Sequence, residues 1–285
     1  MISNLLRGLF LTLGLLAAVP AARAATPFII VASTSSTQNS GLFDHILPIF
    51  QKHSGIEVRV LAVGTGQAIR LAQNGDADVL LVHHKPSEEK FVAEGFGVER
   101  FKVMYNEFLL VGPAADPAGV VGMTSAAAAL ARIAEAGAPF VSRGDDSGTH
   151  KREMALWRAA DIDVAQLSPS MYREAGSGMG ATLNIAAAMA AYTLADSGTW
   201  LNFNNRQDLE VMISGDPALF NPYGVILVSK ERHPHVKSDL GQRFIDWLIA
   251  PAGQAAISAF TINGERAFTA DAGADIVSPS EKQSE

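Results

Sequence analysis

The run Ser142-Arg143-Gly144-Asp145-Asp146-Ser147-Gly148-Thr149-His150 sets a guanidinium, two glycines and short hydroxyl side chains side by side. Pro139-Phe140-Val141 enters it as an apolar strand, and Lys151 to Trp157 leaves it as a helix. The first N–H groups of a helix have no intrahelical acceptor, and the helix dipole is positive there. An Arg beside them adds a full charge, and the combination suits a small anion. The same residues also suit plain capping, with Asp145, Asp146 or Ser147 as N-cap and no ligand.

Two earlier loops repeat this chemistry. Ser33-Thr34-Ser35-Ser36-Thr37-Gln38-Asn39-Ser40-Gly41 follows the apolar run Phe28 to Val31 and precedes a helix over about 42–53. Gly64-Thr65-Gly66 follows a strand over 57–62 and opens another helix, its glycines allowing close approach to the backbone. The first also reads as a Ser/Thr turn capping its helix, and Gly-Thr-Gly alone is a weak signal. Ala175-Gly176-Ser177-Gly178 reads as a tight turn packed closely against the helix it starts.

Other chemistries fit less well. There is no cysteine, which excludes disulfides and thiolate metal sites. The histidines show no metal-binding spacing, and His83-His84, at a strand end, reads as structural or solvent-facing. The Gly-Thr-Gly loop is neither a P-loop nor a dinucleotide fingerprint, so no cofactor is implied. Ser147, His150 and an Asp suggest a serine hydrolase, but the G-x-S-x-G elbow is absent and triads draw on separated parts of a chain. Loops that supply donors, one Arg and few obligatory acceptors suit a fully ionised oxyanion stripped of its water. A binding protein, not an enzyme, is the expectation.

The elements that must position these loops follow from hydrophobic pattern. Strands at Phe28, Glu57 and Asp78, each followed by a helix, indicate a doubly wound α/β unit with its ligand site beyond the strand ends. Val103 to Pro113 reads as a long strand leading out of it, and Asn221-Pro222-Tyr223 as a turn into a returning strand at Gly224. The expected architecture is α/β and two-lobed: residues 26–108 plus 220–272 form one lobe and 109–219 the other, with the ligand cleft between them. Residues 273–285 read as a disordered tail.

Residues 1–24 read as a secretory signal, with Arg7, an apolar run from Leu9 to Val19, and Ala22 and Ala24 at the cleavage site. That run is shorter than the roughly 20 residues a membrane span needs. In a double-membraned bacterium the mature chain is therefore periplasmic. Cleavage removes Arg7 and Arg23 and no acid, taking the formal charge from −7 to −9. So acidic a chain, with no basic tract, argues against nucleic acid as a partner.

The stretches ASTSSTQNSG, AVGTGQA, GDADVLLVH, VMYNEFLLVGP, SRGDDSGTHKRE and YREAGSGMGATL run in order over nearly the whole mature chain. In them the protein resembles the periplasmic tungstate-binding proteins of ABC importers, which have the type II periplasmic-binding-protein fold. The resemblance implies capture of tungstate or molybdate, without chemistry on it, and delivery to an ABC permease with its cytoplasmic ATPase. Carried over by position, the oxyanion ligands are Thr34, Ser35, Thr65, Arg143, Ser147 and Thr149. The Arg143 motif also resembles the R-x-D-x-S-G-T spacing of phosphate-binding proteins. An Asp145 turned inward favours a protonated phosphate, and one turned outward as a cap permits a bare dianion.

Overall fold

The computed structural model describes residues 26–272; the leader expected over 1–24 and the tail expected over 273–285 lie outside them. The chain starts as expected, with strands β1 (Phe28–Thr34), β2 (Glu57–Val63) and β3 (Val79–Val82) in parallel, β1 in the middle. Side chains along β1 alternate between two cores. Ile29 and Val31 face helices α2 (Leu42–Ser54), α9 (Ser238–Ile249) and α10 (Pro251–Ala259), while Ala32 faces α3 (Thr65–Asn74) and α4 (Lys85–Ala93). Burial on both faces explains why β1 and β3 read as continuous apolar runs, while β2, at the sheet edge, alternates.

Strand β4 (Gly97–Pro113) connects the lobes. Its first half pairs antiparallel with β9 (Phe220–Val228), which itself pairs antiparallel with β3. Its second half pairs antiparallel with β7 (Thr193–Asp196) and β8 (Leu209–Ile213). Phe108 and Leu110 enter a second core, with α5 (Ala126–Glu135) and α6 (Gly148–Ala159). Leu109 and Val111 point the other way, toward α7 (Met179–Met189) and α8 (Ser197–Asn202). Strand β5 (Phe140–Ser142) lies parallel to β6 (Tyr172–Glu174) and leads into the Arg143 loop.

Three local expectations differ from what forms. The connecting strand begins at Gly97, not Val103, because two register shifts let its polar first residues stay paired with β9. Asn221-Pro222-Tyr223 is no turn but the interior of β9. Pro222 pairs with Tyr105 on one side, and β3 joins the other side only from Gly224 onward, so the missing N–H leaves no gap in that ladder. Ser35–Asn39 forms a short helix, α1, instead of an open loop, capped by Thr34.

Candidate functional site

The N-termini of α1, α3 and α6 meet between the lobes. Thr34 is buried at the end of β1, where its Oγ1 accepts the Thr37 N–H (3.3 Å) and lies 3.0 Å from Ser36 Oγ and 2.7 Å from Thr37 Oγ1. Neighbouring hydroxyls turn to backbone carbonyls, Ser33 to Leu81 (2.6 Å) and Ser40 to Thr37 (2.7 Å). Ser35, half-buried, is the first residue of α1.

Across the cleft, Arg143 is 1% exposed at the end of β5. Gly144 follows with φ of 59°, and a Cβ there would meet that of Glu174 at 2.5 Å, so the turn needs glycine. The turn brings Asp145 back beneath the guanidinium. One Asp145 oxygen accepts from Arg143 Nη2, and the other accepts the Ser147 N–H at 3.2 Å. Arg143 Nε donates to the Ser177 carbonyl at 2.8 Å. Ser147 Oγ caps α6 by accepting the His150 N–H at 3.2 Å. Thr149 Oγ1 and Ser177 Oγ are buried with no partner. Buried hydroxyls rarely stay unpaired, and beside an Arg at a helix start they are ready donors for a bound anion.

The two walls touch. Gly148 N donates to Thr65 Oγ1 at 2.9 Å, and a Cβ on Gly148 would meet His83 Cε1 at 2.8 Å. Nearer the hinge, Arg152 donates to the Phe220 carbonyl at 3.1 Å. At the rim Arg70 lies 3.9 Å from Asp146, with both side chains largely exposed.

Behind the Arg143 loop sits Glu153, buried on α6. It accepts from Ser142 Oγ (2.9 Å), Tyr172 Oη (2.8 Å) and Trp157 Nε1 (3.3 Å), and Ser142 Oγ in turn accepts the Gly144 N–H (3.2 Å). Burial raises the Glu153 carboxyl to about 7, against the pull of its hydrogen-bond donors. This carboxyl fixes the start of the Arg143 turn.

Thr65 meets the start of α6 at Gly148, Arg143 and the Ser147 N–H are joined through Asp145, and Thr34 is linked through Ser36 to His83, which lies against Gly148. Asp145 fits neither expected orientation, since it caps the Ser147 N–H and turns to Arg143 at once. The sequence reads Ser177 as part of a closely packed turn and His83 as structural or solvent-facing, whereas the structure sets Ser177 against Arg143 and His83 against Gly148. The signal for Ser177 was present: its Gly-rich turn opens a helix as the other three loops do. For His83 the signal was its place at the carboxyl end of a parallel strand, where α/β sheets bind ligands.

Residues 19–252 match the family model described as a PBP superfamily domain. The chain is 45% identical over 240 residues to the tungstate-binding protein TupA of Peptoclostridium acidaminophilum, covering 81% of each. It is 46% identical over 248 residues to a putative ABC transporter anion-binding protein of Haloferax volcanii, covering 85% of this chain and 72% of that one. Among solved structures, the tungstate-binding protein TupA of Desulfovibrio alaskensis aligns with a TM-score of 0.75 at 44% identity, covering 86% of this chain and 99% of that one.

Proposed function

We propose that this chain, which belongs to the PBP superfamily, is a periplasmic receptor that captures tungstate and delivers it to the permease of an ABC importer. The observation that carries the reading is the pairing of a buried Arg143 with uncommitted buried hydroxyls on Thr149 and Ser177 at the start of α6 and α7. These are donors gathered around one cation, the arrangement a bare tetrahedral dianion requires. Relatives named for tungstate at 45% and 44% identity support that ion.

Residues 26–108 with 220–272 and residues 109–219 act as the two lobes that close over the ion. Their meeting at Thr65 and Gly148 is the closed contact. Thr34, Ser35, Thr65, Arg143, Ser147 and Thr149 ligate the oxyanion, and Ser177 joins them. Nothing at the site calls for chemistry on the ligand.

Both Asp145 oxygens are engaged, one by Arg143 and one by the Ser147 N–H. A phosphate O–H would have to share one of these oxygens with the donor already on it, whereas tungstate has no proton to place. Calorimetric titration with tungstate, molybdate, sulfate and phosphate tests the reading. Tungstate and molybdate should bind far more tightly than the other two. Phosphate binding as tightly as tungstate would replace this function with phosphate capture.

A further inference from the structure

His83 follows β3 and is 4% exposed, its ring stacked on Tyr223 at 4.8 Å. Its two nitrogens reach different parts of the molecule. Nε2 lies 3.1 Å from Ser36 Oγ in the first wall of the cleft, and Nδ1 lies 3.0 Å from Asn221 Oδ1 in the hinge strand β9. Asn221 gives its Nδ2 to Asn106 Oδ1 at 2.6 Å, so an acceptor faces the ring, and the network assigns a proton to Nδ1. In the neutral ring Nε2 is then bare and takes the Ser36 O–H. The open lone pair on Ser36 faces Thr34 Oγ1 at 3.0 Å and draws its O–H. The Thr34 and Ser36 hydroxyl protons therefore run toward the ring.

A proton on Nε2 reverses that run. The ring donates to Ser36 Oγ, the Ser36 O–H turns to Thr34 Oγ1, and the Thr34 O–H leaves Ser36, with Thr37 Oγ1 at 2.7 Å and an incoming anion as its alternative acceptors. We propose that His83 is a positioning residue of the oxyanion site, taking one solvent proton at Nε2 as the dianion enters and so converting the first wall into a donor. The proposal rests on the oxyanion reading above.

The surrounding charges set the direction. Burial, the larger influence, lowers the His83 pKa; Asp196 opposes this, while Arg143 and Arg152 add to the lowering. Neighbouring His84 and the buried Tyr223 hydroxyl complete the titratable groups around the ring. Two further negative charges close by raise the pKa of a ring that is neutral without them. With Asp145 already against Arg143, the proton also supplies counter-charge to a buried dianion.

Titration of the full chain with sodium tungstate between pH 6.5 and 8.5, in two buffers of different ionisation enthalpy, tests this. The expected result is uptake of up to one proton, with affinity rising by as much as about tenfold per unit fall in pH. His83→Gln should take up no proton, give a flat profile and bind about tenfold more weakly at pH 6.5. A His83→Gln variant that keeps the wild-type profile overturns the proposal. Should that variant fail to fold, Ser36→Ala leaves the ring and breaks the relay. It should lose most of the pH dependence, and keeping all of it overturns the proposal equally. A wild type that binds tungstate with no proton uptake sinks this inference alone, and one that binds none at any pH sinks the functional reading with it.

Discussion

The two walls of the cleft are made from the same residue types and differ in what those residues have left to offer. In the first wall Ser33, Thr34, Ser36, Thr37 and Ser40 are already hydrogen-bonded within their own lobe. In the second an Arg–Asp pair stands beside two buried hydroxyls, on Thr149 and Ser177, without partners. Hydroxyl content in a sequence therefore does not measure donor capacity, because a loop that curls into a helical turn satisfies its own side chains. On the proposed reading the second wall offers free donors at once, and the first offers its own only when its internal hydrogen bonds rearrange.

The largest expected effect concerns what lies beneath the second wall. The folded Glu153 carboxyl titrates at about 7, raised by burial from an ordinary 4.5. The folded state then holds its proton to higher pH than the unfolded chain does. Its favourable contribution is full below about pH 4.5 and fades as pH rises to about 7, by at most roughly 3 kcal/mol. Under the first lobe Glu88 is likewise raised to about 7 by burial, with Arg100 2.5 Å away opposing the shift. Urea unfolding at pH 5 and 8 should show Glu153→Gln losing part of this slope and Glu88 retaining the rest. An unchanged slope would mean the second wall does not rest on a titrating acid.

Next in size, Arg143→Ala should weaken tungstate binding by about 10- to 100-fold, the roughly 1.5–3 kcal/mol of a charged hydrogen bond. Calorimetric affinity within about threefold of wild type would move the charge recognition to the other wall. Thr65→Val strands the Gly148 N–H and should cost about 1–2 kcal/mol of affinity. Small-angle scattering of the loaded protein should show it less compact, and an unaltered profile would deny Thr65 a part in joining the walls. Smallest is Asp145→Asn, which keeps an acceptor for the Ser147 N–H and removes a charge from Arg143. Tungstate affinity should rise a few-fold, and a fall would show that the Arg143–Asp145 pair assists binding.

Much of this was legible in the sequence because it rests on local rules. Apolar runs ending in Ser, Thr and Gly gave the strands β1, β2 and β5 with their helix starts, and Arg143 stood out as a charge among neutral donors. What could not be read depends on distant partners. Pro222 is tolerated in β9 because β3 pairs with that strand only from Gly224 onward, a fact about pairing register. The role of His83 depends on Ser36 and Asn221, which lie 47 and 138 residues away along the chain. The placement of Asp145 follows from a turn that brings it back onto Arg143, and spacing alone does not reveal such a turn.

The course of β9 has a consequence for how the molecule is assembled. β9 is inserted between β3 and the first half of β4, and it reaches them after more than a hundred residues of intervening chain. Until it arrives those two strands have no neighbour to separate them, and the helices α9 and α10 that cover one face are also still missing. The intervening segment already has its own core and pairs β7 and β8 onto the second half of β4. Closing so long a loop is slow, so the middle of the chain should acquire structure first and its two ends last. A chain released after residue 219 would keep a formed middle and an unfinished beginning, with the exposed strand edges that invite aggregation.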